Sequence, residues 1–435
     1  MDIGIIGAGP SGLNFARCLG FACTIFERER FVGGTATSFK LEGYTFDYGP
    51  HIIFSKDKDV LNYMVSMLGD NVSKCVRKNR VSIDGKLINY PFENGIAELS
   101  PNSRYDLLST FFDNPHADLI DSPKNLEEWL YKYFGSNISN KYLIPYNEKV
   151  WNLPISKLSM DWSDRIPMPN PKDMLKSACG IQNDGYLHQL FYHYPTRNGF
   201  SALAECMAEG LEVNINEEIR VLNRSLRGGF SVISCTGKYE FDFLASSLPL
   251  PELVKICNFD IPNSVIDAIN NLIYNPILIV SLGVRGLDTD KYTAIYFPES
   301  DFLVNRISFP ATFSQHNAPE GCYSIQAEIT CGKDSSVWDM TDAEITAHVI
   351  NGLSERKIVD RNSIELVDVK RKKYAYVVYD EGYQSRVDVI RKWFQEIGIS
   401  LIGRFGYFEY LNVDGIILQT RALAADFLDS LGKKE

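Results

Sequence analysis

The chain is short of basic charge: 44 Lys and Arg stand against 55 Asp and Glu in 435 residues, a formal net charge of −11. Nucleic acid and anionic bilayers both require a cationic face, so neither is expected as a main partner. Cysteine is sparse, nine residues in all, odd in number and without a CxxC spacing. That excludes a disulfide framework and a zinc ribbon, and no metal site is expected. No apolar run approaches the length of a membrane-crossing helix, so no membrane insertion is expected. Met1 leads directly into an apolar strand with no charged leader, which predicts a soluble, cytoplasmic protein. GxSxG and HExxH motifs, internal repeats and low-complexity linkers are all missing. What remains is 45% hydrophobic content, enough for a large core divided into two or three lobes. Oligomeric state is left open.

The strongest positive signal lies at the start. Residues 3 to 12 read Ile-Gly-Ile-Ile-Gly-Ala-Gly-Pro-Ser-Gly, and the apolar stretch Ala22 to Phe26 ends in Glu27. A strand that turns tightly into a helix needs Gly7 at the turn. Gly9 lets backbone amides near Ser11 approach a pyrophosphate, and Gly12 allows close helix packing. Glu27 is placed to hold ribose hydroxyls. Beyond Arg28 comes Gly33-Gly34-Thr35, a second stretch of bare backbone that can pass close to a pyrophosphate. A paired glycine so soon after the ribose acid resembles the FAD-binding flavoenzymes of the amine oxidase and protoporphyrinogen oxidase type, and that resemblance favours FAD over NAD, with Arg28, Gly34 and Thr35 as further contacts.

Patterning predicts an α/β protein: a Rossmann-like FAD-binding domain built from discontinuous segments, with an inserted helical lobe and an antiparallel β-sheet lobe. The segments are 1–80, 190–248 and 396–435. The helical substrate lobe covers 81–189, within which the family resemblance described below implies a mobile flap near 152–170, and the sheet lobe covers 249–395. Leu126, Trp129, Leu130 and Tyr133 recur at helical spacing between Asn125 and Phe134, as in an amphipathic helix. Strand patterns cover Glu212 to Leu222, Phe230 to Ser234 and Phe241 to Ser247, with a turn at Arg227-Gly228-Gly229. The sheet lobe is expected from Pro276 to Val284, Tyr292 to Phe297, Asn305 to Phe309 and Tyr323 to Thr330. Ile399 to Gly403 is a last strand, and a helix is expected from about Gly415 to Leu431.

Function is legible in motifs beyond the fingerprint. The runs Asp47-Tyr48-Gly49-Pro50-His51-Ile52-Ile53-Phe54, Tyr90-Pro91-Phe92-Glu93-Asn94, Pro145-Tyr146-Asn147-Glu148-Lys149-Val150-Trp151 and Trp162-Ser163-Asp164-Arg165 come first. They are followed by Asn305-Arg306-Ile307-Ser308-Phe309, Glu381-Gly382-Tyr383 and the stretch from Gly403 to Asp414. In this order they resemble the UDP-galactopyranose mutases, the eukaryotic type above all, over most of the chain. The resemblance implies a non-redox use of FAD, in which reduced flavin N5 attacks the anomeric carbon of a nucleotide sugar and the ring recloses as a furanose. It implies that FAD is active when reduced, by NADPH or another reductant, and that the product feeds polysaccharide synthesis.

The resemblance also assigns residues. Arg306 and the flap arginine Arg165 would hold the diphosphate, a task suited to a bidentate guanidinium, with the hydroxyls of Tyr383 and Tyr410. His51 would lie against the flavin ring. Tyr90, Phe92, Asn147 and Trp151 would receive the nucleotide. Arg404, Asn412, Val413 and Asp414, and less firmly Arg197, would meet the flavin, with Ile219 and Val221 at the adenine. Two positions depart from the family. Pro50 replaces a common glycine and stiffens the histidine loop, and Glu93 replaces a common glutamine, which alters the hydrogen bonding offered to a base. The competing expectation is an FAD-dependent amine oxidase or dehydrogenase of the protoporphyrinogen oxidase-like superfamily, with Tyr407 and Tyr410 as an aromatic pair. A flavin-bound redox sensor is a third.

Overall fold

The computed structural model describes residues 1–166, 168, 170–181, 190–225, 228–286 and 292–432. Arg227 of the expected turn, positions 167 and 169 of the expected flap and 182–189 of the expected helical lobe lie outside the described residues.

A parallel five-stranded sheet anchors the fold, in the order Ile399–Leu401, Phe243–Ser246, Ile3–Ile6, Thr24–Phe26, Glu212–Asn214. Ile3, Ile5 and Ile6 are all buried, as a parallel sheet covered on both faces requires. From the central strand Ile3–Ile6 the chain steps first to one side, to Thr24–Phe26, and later returns to the other, at Phe243–Ser246. Such a reversal opens a crevice at the carboxyl ends of the strands. The helix Pro10–Leu19 packs against the last helix, Val413–Gly432, through a buried hydrogen bond from Asn14 Nδ2 to Thr420 Oγ1 (2.8 Å).

The expected strand from Glu212 to Leu222 divides. Glu212–Asn214 joins the parallel sheet, whereas Ile219–Arg224 starts a separate antiparallel sheet with Phe230–Ser234 and Lys238–Phe241. Asn216 lies between them in the left-handed region, φ 54°, where a short polar side chain is tolerated and a strand cannot continue.

The second large sheet has seven strands, in the order Ile364–Val377, Tyr274–Arg285, Cys322–Thr330, Arg306–Ser308, Ala294–Tyr296, Asn79–Ile83, Lys86–Asn89. Its neighbours pair antiparallel except at Ala294–Tyr296 against 79–81. Ile364–Val377, 14 residues long, was not among the strands expected from sequence. Lys370-Arg371-Lys372-Lys373 interrupts its apolar rhythm, and most of its residues are only half-buried. The remaining lobe is helical, with Pro101–Phe112, Leu126–Ile138 and Ile144–Trp151. Asn125 caps the second of these by accepting from the Glu128 N–H at 3.0 Å, and Leu126, Trp129, Leu130 and Phe134 form its buried stripe. Among the described residues, no helix is long and apolar enough to cross a membrane.

Candidate functional site

The first element of the site is a cradle of backbone. Gly7 turns at φ +100°, and its N–H donates to the Phe26 carbonyl at 2.8 Å. A Cβ on Gly12 would lie 2.0 Å from the Gly7 carbonyl oxygen, so the helix rests directly on that turn. Gly9 precedes Pro10–Leu19, and no side chain caps this helix, which leaves its first amides available to an anion. Gly9 and Gly34 face each other: a Cβ on Gly34 would sit 3.4 Å from the Gly9 Cα. The two bare backbones lie in contact beside an uncapped helix N-terminus and together present a surface without side chains, which a dinucleotide pyrophosphate can approach closely. Glu27 is buried, with Oε2 accepting from the Ala8 N–H at 2.9 Å and Oε1 from the Glu29 N–H at 3.0 Å. Ser11 Oγ lies against Gly403, where a Cβ would be 2.0 Å away. Arg28 is exposed and 3.4 Å from Glu29, Thr35 is exposed, and Ile219 is buried beside half-buried Val221.

Gly403 carries the cradle over to the second element. Its N–H is held by Gln419 Oε1 of the last helix (2.8 Å). The next residue, Arg404, donates from Nε to the Leu411 carbonyl (2.7 Å), from Nη1 to the Ala375 carbonyl (3.1 Å) and from Nη2 to Asn412 Oδ1 (3.4 Å). These bonds strap the long lysine-rich strand to the segment Asn412, Val413, Asp414, where the last helix begins. The Arg404 guanidinium lies 4.6 Å from the centre of the Tyr410 ring, and that of Arg165 lies 4.5 Å from it. Arg165 Nη2 also donates to the Tyr410 carbonyl. Tyr410 stacks on Tyr376 at 5.9 Å and 15°. The Tyr376 hydroxyl lies in the fields of Glu328, Arg306 and Arg404, and Arg306 Nε donates to Glu328 Oε2 at 2.6 Å. Arg165 and Arg404 therefore lie on one of two stacked tyrosines, and the charge of Arg306 is felt at the other.

His51 sits between these elements. Burial first, and then Arg404, push its imidazole down to about 4, so the ring is neutral at neutral pH. Its Nδ1 lies 2.8 Å from the Gly49 carbonyl; the neutral ring donates there and leaves Nε2 as an acceptor. The turn is supported by Asp47, which accepts from Ser38 Oγ (2.6 Å), Tyr194 Oη (2.8 Å) and the Phe200 N–H (3.1 Å). A depressed histidine contributes stability above its unfolded value near 6.5, lost as pH falls through about 4. NMR should therefore show no protonation of the His51 ring between pH 8 and about 5; a midpoint near 6.5 would contradict this environment.

The residues expected to receive a nucleotide are distributed unevenly. Tyr90 stacks on Tyr296 at 5.0 Å, and Tyr146 meets the same ring edge-on at 5.6 Å. Phe92, in contrast, is 1% exposed and stacked on Tyr142 at 5.1 Å, a place in the lobe core. Asn147 spends its amide locally: Nδ2 donates to the Leu143 carbonyl (2.7 Å), and Oδ1 accepts from Trp151 Nε1 (3.0 Å). Trp151 is covered by Trp162, with ring centres 3.8 Å apart. Glu93 is pushed up to about 7 by burial.

The arginine at Tyr383 is Arg391, whose Nη2 donates to its hydroxyl at 3.5 Å, rather than Arg165, Arg306 or Arg404. That hydroxyl donates to the Phe408 carbonyl at 2.6 Å, and the ring lies against Tyr379 at 4.2 Å. The tyrosine that this part of the chain presents is Tyr376, seven residues earlier on the unexpected strand. Tyr407 faces Arg391 at 3.7 Å and is not among the rings stacked on Tyr410. Arg197 is exposed, with its backbone N–H on Asn71 Oδ1 (2.8 Å). Sequence reasoning also missed Glu328. Its signal is the alternation Ser324, Gln326, Glu328, Thr330, a polar strand face that the structure buries completely.

The fold and the cradle define an α/β protein with a Rossmann-like dinucleotide-binding domain, beside which arginines and aromatic rings cluster. The NAD(P)-binding Rossmann-like domain family matches residues 5–67. Over the whole chain, the protein is 21% identical to a Klebsiella pneumoniae protein described as "Probable UDP-galactopyranose mutase", across 96% of that relative. It is 24% identical to dTDP-fucopyranose mutase of Escherichia coli, over 44% of this chain and 54% of that one. A crystal structure of reduced UDP-galactopyranose mutase superposes with a TM-score of 0.88 at 22% identity, covering 98% of this chain and 95% of the other. The chain has that enzyme's fold.

Proposed function

We propose that the protein is an FAD-dependent nucleotide-sugar mutase, interconverting pyranose and furanose forms in the manner of UDP-galactopyranose mutase. The observation that carries this reading is the placement of Arg165 and Arg404 on the Tyr410 ring of the Tyr376–Tyr410 stack, with the charge of Arg306 felt at the Tyr376 hydroxyl. Gross attraction between one guanidinium and one anionic charge at ~4 Å is on the order of 4 kcal/mol at an effective dielectric of ~20. Such a cluster retains a diphosphate and repels a protonated amine, which disfavours an amine oxidase.

FAD would be held by the Gly9–Gly34 cradle, Glu27 and the start of the last helix, and in its reduced form it supplies a nucleophilic nitrogen. The chain's own residues then keep the diphosphate in place while it is detached from the sugar. Arg306 and Arg165 supply charge, and the hydroxyls of Tyr376 and Tyr410 donate hydrogen bonds from rings already fixed by stacking. Neutral His51 offers Nε2 as an acceptor without adding charge. NADPH or another reductant would supply the electrons. The flap residues Trp162 and Arg165 cover the cleft and exclude water.

The test is anaerobic incubation of the FAD-loaded protein, oxidised and dithionite-reduced, with UDP-galactopyranose, dTDP-fucopyranose and other nucleotide hexopyranoses, followed by chromatography. Furanose is expected from the reduced protein alone. No conversion, with oxygen consumed on amine addition, would transfer the protein to the oxidases. Within the same assay Tyr376→Phe should lower turnover by about tenfold, the worth of one hydrogen bond to a charged group. Tyr383→Phe should change it by less than about threefold, because its hydroxyl serves a carbonyl. The reverse ranking would restore Tyr383 to the site.

A further inference from the structure

Arg306 and Glu328 are directly paired across neighbouring strands, in the register Arg306↔Glu328. Side chains opposite one another on one face of an antiparallel pair are the closest in a sheet. The register is pinned at both sides. The Asn305 N–H donates to the Glu328 carbonyl at 2.9 Å, and Asn305 Oδ1 accepts from the Thr330 N–H at 3.0 Å. Glu328 is 2% exposed in its side chain and Arg306 25%. The contact runs through Nε, the nitrogen at the inner edge of the guanidinium. The second Glu328 oxygen lies toward Gly49: a Cβ there would be 3.1 Å from Oε1. Gly49 is the residue whose carbonyl faces His51. The carboxylate is thus buried on a strand whose register is pinned on both sides of it, with Gly49 leaving room for its second oxygen.

A guanidinium offers five N–H groups in one rigid plane. An acceptor that occupies Nε sets that plane while leaving the terminal nitrogens for a second acceptor. Two opposing effects follow from placing a carboxylate beside an anion site. Its charge repels the anion, and its hydrogen bond aligns the cation. Burial of Glu328 directly opposite Arg306, on strands whose register is pinned, favours the second effect.

We propose that Glu328 is the positioning residue for Arg306, fixing the guanidinium through Nε so that its terminal nitrogens face the substrate diphosphate. This rests on the mutase reading above. It predicts that shape, rather than charge, is what Glu328 contributes. Gln retains an oxygen acceptor for Nε and the same volume, whereas Ala retains neither.

The experiment measures UDP and inorganic pyrophosphate binding to the FAD-loaded protein by calorimetry and by the flavin difference spectrum, in wild type, Glu328→Gln, Glu328→Ala and Arg306→Ala. Glu328→Ala should weaken UDP by at least about tenfold with FAD content unchanged. Glu328→Gln should recover most of that loss, an outcome that a merely structural carboxylate would not give. Glu328→Ala that binds UDP as tightly as wild type, or more tightly, overturns the proposal, as does Glu328→Gln as weak as Glu328→Ala. If Glu328→Ala fails to fold, the Gln variant decides alone: a tenfold loss there refutes it. A wild type that binds pyrophosphate but not UDP sinks the mutase reading and leaves the Glu328 comparison to be made on pyrophosphate. One that binds neither overturns both.

Discussion

Gly9→Val protein is expected to fold, to keep a melting temperature close to wild type, and to purify without FAD. Within the chain, the nearest atom to a Cβ at Gly9 is the Gly34 Cα, 4.0 Å away, ordinary contact distance. Gly9 also has φ −72°, a conformation open to any residue. Nothing in the protein therefore demands glycine here. What would demand it is a ligand lying across Gly9 and Gly34, against the uncapped N-terminus of Pro10–Leu19. Valine puts a branched side chain on that bare surface, and losing the amide contacts to a doubly charged pyrophosphate should remove cofactor retention altogether. Gly12→Val is the contrasting variant: its Cβ would fall 2.0 Å from the Gly7 carbonyl oxygen, so the helix must lift from the strand. Backbone overlap of that kind should cost several kcal/mol and lower the yield of folded protein, on the order of severe core overpacking. Absorbance at 450 nm against protein concentration, with circular dichroism melts, separates the two. Yellow, fully loaded Gly9→Val protein would remove the cradle from the cofactor's path.

That contrast also shows what was readable from residues alone. The fingerprint was legible because each glycine answers a separate steric demand at fixed spacing, and Glu27 closes the pattern at the end of the next strand. The last helix was legible from periodicity, and its start moved only from Gly415 to Val413. The strand Ile364–Val377 was not. Four consecutive cations conceal its alternation; the ammonium groups of Lys370 and Lys372 lie over the rings of Phe39 and Tyr48 at 5.0 and 3.9 Å, cation–π contacts that keep charged side chains on the strand. With that strand hidden, Tyr376 was hidden too, and Tyr383 stood in its place. Glu328 was concealed for the opposite reason. Alternating polar and apolar residues on Cys322–Thr330 read as one wet face and one dry face, but both faces are buried, and the polar one points inward toward Asp47, Gly49 and Arg306. Pattern gives periodicity; it does not say which face meets water. Local hydrogen bonding was equally invisible, as in Asn147, whose amide serves Leu143 and Trp151.

The largest effect on turnover is expected at Arg306. Arg306→Ala should lower kcat/KM for a nucleotide sugar by a hundredfold or more, about 2.7 kcal/mol of transition-state stabilisation, while FAD stays bound. Two losses are combined in that variant and can be separated. Removing the guanidinium takes away a charge that would face the departing diphosphate, which affects turnover. It also strands Glu328, 2% exposed, and an unpaired buried carboxylate destabilises a fold by roughly 3–5 kcal/mol unless it takes up a proton. Arg306→Ala combined with Glu328→Gln removes the stranded charge without restoring the cation. The double variant should regain most of the lost melting temperature and none of the lost turnover, a non-additive result of the kind that paired residues give. Arg306→Lys should fall between wild type and Ala, since an ammonium can reach Glu328 or the diphosphate as a point charge but cannot span both in one plane. Recovery of turnover in the double variant would show that Arg306 acts through stability alone, and the diphosphate grip would then have to rest on Arg165 and Arg404.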